Sequence, residues 1–358
     1  MRSLLVLLFL FSFSHAQILK ESGITHGGEI EFTNDWIYAV DSNEKVGKLR
    51  GREFPAARKM AEIVGKKCRS LGCKVSRVQG KWGYEYSVQL QDGWWFQISY
   101  DPLCVEIQTK PSTLQELYFH QELKEELIFG SAREAGLESR PNRATHMNTG
   151  ARSAFGYDLR NLFNYFVDNA NYPEFSSGVF RQNWNTSPPL VLNDIDLDQR
   201  IKSIQTQIEK GQIKSFGQLV LEIIRRLHSN FLSSQFNPNR NQDLTFRKLT
   251  NLAQEKENLS HQEKDVPFER RAVRAVRSFS EFVLHAEMIE SRIAWVKTQR
   301  GFIPFKRKAP QVLGSYGREQ FFKAWLVETN LSIERYLPVI KAPSWRKPLN
   351  LCQKFYSN

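Results

Sequence analysis

Apolar positions along the chain change period several times, and each change marks an element. Gly27 to Trp36 alternates as a strand does, and Ala57, Met60, Ala61, Ile63 and Val64, spaced helically among Arg and Lys with Gly72 as a stop, predict a helix over 55–72. Four short runs rich in Val, Ile, Tyr and Trp follow, Lys74 to Val78, Glu85 to Gln91, Trp94 to Tyr100 and Val105 to Lys110, broken by Gly80, Gly83, Asp92-Gly93 and Asp101-Pro102. The pair flanking Asp92-Gly93 is the clearest hairpin. Residues 113–130 read as helix, and 139–150 are turn-rich around Ser139-Arg140-Pro141-Asn142 before Ala144-Thr145-His146-Met147-Asn148.

Leu159 to Val167 has helical spacing, and Asn193 to about Asn230 predicts one or two further helices ending before Asn237-Pro238-Asn239. The polar stretch Asn251 to Lys264 links back to Val266-Pro267-Phe268-Glu269-Arg270-Arg271-Ala272-Val273, read as a strand, and 278–297 forms a long amphipathic helix. There is no internal repeat or long low-complexity tract. The pattern predicts one α+β domain over 17–358 with a mainly helical segment at about 193–262 inside it.

The amino terminus changes the picture of where such a domain works. Arg2, the apolar run Leu4 to Phe11 and the small-x-small pattern Ser14-His15-Ala16 predict a cleavable signal peptide over 1–16, with the mature chain starting at Gln17 in a secreted or periplasmic location. The same run read as a membrane anchor is too short for a hydrocarbon core of roughly 30 Å, and no later segment is long and uncharged enough. Cleavage removes one Arg and no acid, so the formal charge of +12 becomes +11. A basic surface favours anionic partners but equally serves solubility.

Cys68, Cys73, Cys104 and Cys352 allow two bridges in an oxidising compartment, of which Cys68 with Cys73 would close a short loop. A four-cysteine zinc site is disfavoured, because no CxxC pair exists. Asn185, Asn258 and Asn330 each open a glycosylation sequon.

Chemistry-bearing residues recur at a spacing of two. In Gly27-Gly28-Glu29-Ile30-Glu31 both carboxylates fall on one face of a strand, tolerated when solvated or when a cation such as Mg²⁺ or Mn²⁺ sits between them. Glu106, between Val105 and Ile107, faces away from both. His146 and Asn148 share a face, as do Glu269 and Arg271, with Arg274 beyond. Each pair also has an ordinary reading: a solvent-facing strand, a structural hydrogen-bonding histidine, an internal ion pair.

The order of these motifs, Gly-Gly-Glu-x-Glu, then a strand Glu, then His-x-Asn, then Glu-x-Arg, resembles the glutamine synthetase-like carboxylate-amine ligase superfamily, most closely its amidoligase branch. The anchors are Gly27 to Phe32, Asp101 to Pro111, Thr145 to Phe155 and Phe268 to Arg274. The resemblance implies a curved antiparallel sheet with flanking helices, carrying glutamates that hold divalent ions around the phosphates of ATP. It implies Glu29, Glu31, Glu106 and Glu269 as metal ligands, His146 and Asn148 as contacts to nucleotide or substrate, and Arg271 on the transferring phosphoryl group with Arg274 assisting. Glu29, Glu31 and Arg271 would then be the catalytic set.

The expected activity is ATP- and Mg²⁺-dependent amide formation through an acyl phosphate, on a carboxylate or peptide substrate. The alternative is a non-catalytic secreted protein on the same fold that recognises an acidic ligand or an envelope component. Nucleic-acid binding, drawn from Lys306-Arg307-Lys308 and Trp94-Trp95, is not expected, since no recognised module is present and adjacent strand tryptophans point to opposite faces. GxSxG, P-loop and HExxH motifs are absent.

Overall fold

A computed structural model describes residues 22–37, 54–80, 83–101, 103–140, 143, 145–156, 158–171, 196–228, 244–249, 265–271, 273, 275–306 and 315–340. The expected signal peptide, the sequons at Asn185 and Asn258, Arg274, Arg307, Lys308, Cys352, the 237–239 loop and the 251–264 stretch lie outside them.

Helix and antiparallel sheet combine in an α+β fold. The strands are β1 (His26–Phe32), β2 (Lys74–Gln79), β3 (Tyr84–Gln89), β4 (Trp95–Asp101), β5 (Cys104–Thr109), β6 (Thr145–Gly150), β7 (Leu244–Thr245) and β8 (Pro267–Arg270). They form one eight-stranded sheet in the order β2-β3-β4-β5-β1-β6-β8-β7, every described pairing antiparallel. The helices of more than one turn or two are α1 (Pro55–Leu71), α2 (Leu159–Asn171), α3 (Leu197–Glu209), α4 (Phe216–Ile223), α5 (Phe279–Lys297), α6 (Ser315–Glu328) and α7 (Ile333–Ile340).

Local chemistry explains several of these elements. The turn between β3 and β4 has Gly93 at φ 80°, Asp92 accepting from the Trp94 amide at 2.8 Å, and Leu90 N–H donating to the Trp94 carbonyl at 2.8 Å. Helix α1 starts on Pro55 and ends on Gly72 at φ 71°, where a left-handed cap needs glycine. A disulfide joins Cys68 at its end to Cys73 just before β2. Ser278 caps α5 by accepting from the Glu281 amide at 3.1 Å.

Three elements differ from the sequence pattern. Strand β1 stops at Phe32, because Asn34 accepts from the Ile37 amide at 2.9 Å and starts a helical turn, so Trp36 is not in the sheet. The helix expected over 113–130 breaks at His120, which is left-handed at φ 52°; its pieces are Leu114–Tyr118, Gln121–Glu125, a π-turn Glu126–Gly130 and Ser131–Glu134. Buried Lys124 closes the first piece by donating to the Phe119 carbonyl at 2.7 Å. Strand β8 is only four residues long, and beyond it Val273 accepts from the Thr145 amide outside the ladder.

Because strand side chains alternate, the sheet has one apolar and one polar face. The apolar face carries Ile30, Phe32, Val88, Phe96, Ile98, Val105, Ile107, Met147 and Phe268, all buried. Each such side chain contributes about 1.5–3 kcal/mol on leaving water. Helices α1 and α5 cover this face. Gly28 shares it, and a Cβ there would run into the Phe282 ring of α5, so close packing of α5 favours glycine at this position. Trp94 is buried against Phe279 of α5, as expected for one member of the tryptophan pair. Behind the sheet, Arg292 of α5 pairs with Asp168 of α2 and, at 3.0 Å, with Glu328 of α6, and stacks 3.8 Å from the Trp295 ring. That buried network ties three helices together.

Candidate functional site

The polar face gathers the chemistry. Cross-strand partners share a face, so the pairings Glu29↔Gln108, Glu31↔Glu106, Glu29↔His146, Gly27↔Asn148 and Asn148↔Glu269 place the acidic and amide side chains of β5, β1, β6 and β8 on one side. Ser99 and Gln97 of β4 extend that side toward β2, opposite Glu106 and Gln108.

At its centre the His146 imidazole lies with Nδ1 2.8 Å from Glu29 and 3.3 Å from Glu269, and Nε2 4.0 Å from Glu31. One ligand atom each from Glu29, His146 and Glu269 fall within 4.8 Å of one another. Asn148 donates to Glu29 at 3.3 Å, and Arg271 donates to Glu269 at 2.5 Å. Lys248, on the 3₁₀ turn Arg247–Leu249, donates to Glu29 at 3.0 Å and to Asn148 at 2.8 Å, and lies 3.7 Å from Glu269.

These contacts set the protonation states. Burial raises the Glu29 carboxyl, but the hydrogen bond and charge of His146 and the Lys248 ammonium outweigh it and hold the group below the usual carboxylate range. Burial lowers His146, while the bond to Glu29 and the charges of Glu29 and Glu269 raise it overall. Lys248 is raised by the same two carboxylates against its own burial. Glu106 behaves oppositely: burial and the negative charge of Glu29 push it up to about 7, although Gln108 donates to it at 2.7 Å.

Of the residues singled out in the sequence, Glu29, Glu31, Glu106, His146, Asn148, Glu269 and Arg271 therefore share one face. Glu29, His146 and Glu269 form the tight group. Glu31 is turned toward a neighbouring group with Asp101 and Cys104, and lies 4.0 Å from Arg143. Gly150 is close-packed, a Cβ there meeting Asp265, which caps the following helical turn by accepting from the Arg152 amide at 2.8 Å.

Sequence reasoning missed Lys248, Asp101, Cys104 and Arg143. No motif marks Lys248, which reaches the cluster across 219 residues of chain. Asp101 and Cys104 were visible only as a turn residue and as one of four cysteines; in the fold they are cross-strand partners of β4 and β5.

A cavity of about 240 Å³ between α2, α5 and the 299–306 segment shares no residue with this cluster. No described helix is long and apolar enough to cross a membrane. Comparison with protein-family models and with curated proteins finds no match.

Proposed function

We propose that this chain is an exported ATP- and Mg²⁺-dependent carboxylate-amine ligase of the glutamine synthetase-like amidoligase type. The observation that carries the reading is the convergence, from three strands, of Glu29, His146 and Glu269 donors within 4.8 Å on a polar sheet face. Two carboxylates and an imidazole fit a Mg²⁺ or Mn²⁺ ion, Mn²⁺ accepting the nitrogen more readily. Such an ion would neutralise charge on the nucleotide phosphates.

The remaining work falls to the chain's own side chains. Arg271 is anchored through Glu269 and its side chain stays partly exposed, so the rest of its guanidinium fork is available to a phosphoryl oxygen. Asn148 orients Glu29 without adding charge. In the proposed reaction a substrate carboxylate oxygen takes the γ-phosphoryl group as the bond to ADP breaks. The amine then attacks the acyl phosphate, phosphate leaves with the bonding pair, and the amine proton passes to a base. Positioning and charge neutralisation dominate such a transfer.

One observation favours a second reading, a non-catalytic exported protein that binds an acidic ligand or envelope component. The carboxylates of Glu29 and Glu269 are already matched by Lys248, His146 and Arg271 within the chain. Calorimetric titration with ATP, with and without Mg²⁺, separates the two. The ligase reading expects Mg²⁺-dependent binding that Glu29→Gln abolishes; binding indifferent to Mg²⁺ and to Glu29→Gln, or none, overturns it.

A further inference from the structure

Beside the Glu29–His146–Glu269 group, the polar face holds a second constellation of different chemistry. Glu31, Asp101 and Cys104 each offer one ligand atom, and the three lie within 4.8 Å of one another. Asp101 and Cys104 are cross-strand partners at the end of β4 and the start of β5, and Glu31 stands on neighbouring β1, opposite Glu106. The three thus come from three adjacent strands, which fixes their backbones.

The thiol is the informative member. The bridge between Cys68 and Cys73 leaves Cys104 as a free cysteine; it is 1% exposed, on the polar rather than the apolar face, and its side chain has no hydrogen-bond partner among the described residues. A buried free cysteine ordinarily packs as a small hydrophobe. Here it lies instead on the polar face, with its sulfur within 4.8 Å of a carboxylate oxygen of both Glu31 and Asp101.

We propose that Glu31, Asp101 and the Cys104 thiolate form a second cation site, selective for zinc-class ions over Mg²⁺. A resemblance to glutamate-lined ligases implies oxygen ligands throughout, and a sulfur ligand changes the metal class, since thiolate favours Zn²⁺ and its analogue Co²⁺. Tetrahedral coordination with Zn–S near 2.3 Å and Zn–O near 2.1 Å needs donors about 3.6 Å apart, which small side-chain rotations within the present separation supply. Three protein ligands leave one position for water or substrate. Binding displaces the thiol proton to solvent. The three negative charges are then met by the ion and by the Arg143 guanidinium, 4.0 Å from Glu31. The site does not depend on the ligase reading.

Co²⁺ reports directly on sulfur ligation through a thiolate-to-metal charge-transfer absorption in the near ultraviolet. In a Cys352→Ser background, with the Cys68–Cys73 bridge intact, Cys104 is the one thiol of the chain. Titration with Co²⁺ is expected to develop the band to one equivalent of bound thiolate, to lose it in Cys104→Ala, and to keep it in Glu29→Gln, which disables the neighbouring group. Absence of the band from folded protein at saturating Co²⁺, or its survival in Cys104→Ala, overturns the site. Should Cys104→Ala fail to fold by circular dichroism, Asp101→Asn decides: apparent Co²⁺ affinity falls at least about tenfold if Asp101 is a ligand, and unchanged affinity refutes the proposal. Loss of ATP binding in Glu29→Gln with the cobalt band intact keeps this result distinct from the ligase test.

Discussion

Glu29 and His146 stand 117 residues apart in sequence and 2.8 Å apart in the fold, as cross-strand partners of β1 and β6. The pairing raises the imidazole above its ordinary 6.5 and lowers the carboxyl. A raised histidine stabilises the fold fully below its unfolded value, and that contribution disappears as pH rises through the folded value. His146→Gln is therefore expected to lose about 1–3 kcal/mol on the acid side. Its deficit against the wild type shrinks on the alkaline side, which chelator-treated urea denaturation at about pH 6 and about pH 9 measures. A deficit independent of pH contradicts the assignment.

Glu106 gives stability a slope of the same sign, over a window set by a carboxyl instead of an imidazole. Its folded value of about 7 exceeds the ordinary 4.5, so between those values the folded protein retains a proton that the unfolded chain releases. Stability contributed by this group consequently falls as pH rises through that window. Glu106→Gln, permanently neutral, is expected to equal the wild type at low pH and to exceed it by about 1–3 kcal/mol above the window, in chelator. Denaturation midpoints on either side of the window test this.

Lys248 places an ammonium against Glu29 and Glu269, where a divalent ion would also reside. Two cations cannot share those oxygens without repulsion. Lys248→Gln is expected to raise Mn²⁺ affinity on the order of tenfold, a difference of about 1.4 kcal/mol. Electron paramagnetic resonance of free Mn²⁺ provides the readout, and weaker binding in the variant means that Lys248 supports the cation site instead of competing for it.

Gly28 faces the helices, with the Phe282 ring of α5 where its Cβ would be. Gly28→Ala is expected to cost about 1–3 kcal/mol of stability by overpacking. Because Glu29 and Glu31 project from the other face, cation binding by the folded variant stays unchanged. Calorimetry at a temperature below its melting transition checks both halves.

Much of this fold is local in origin and so was legible along the chain. The Asp92-Gly93 turn selects its hairpin, the run from Pro55 to Gly72 carries its own start and stop, and Ser278 with Glu281 opens α5. The spacing of two in Glu29-x-Glu31, His146-x-Asn148 and Glu269-x-Arg271 likewise guarantees a shared face within each strand. Strand ends were less legible: Asn34 and Val273 redirect the backbone through hydrogen bonds to partners the periodicity does not reveal.

The sequence by itself thus determined which short segments are strands and helices and which side chains within a segment lie together. Only the tertiary structure decided that β1 lies between β5 and β6, and with it that Glu29 meets His146 and Glu269 while Glu31 meets Asp101 and Cys104. Alternation along a strand is fixed by backbone stereochemistry over two residues. Which strands become neighbours depends instead on burying the apolar face under α1 and α5, a property of the whole chain.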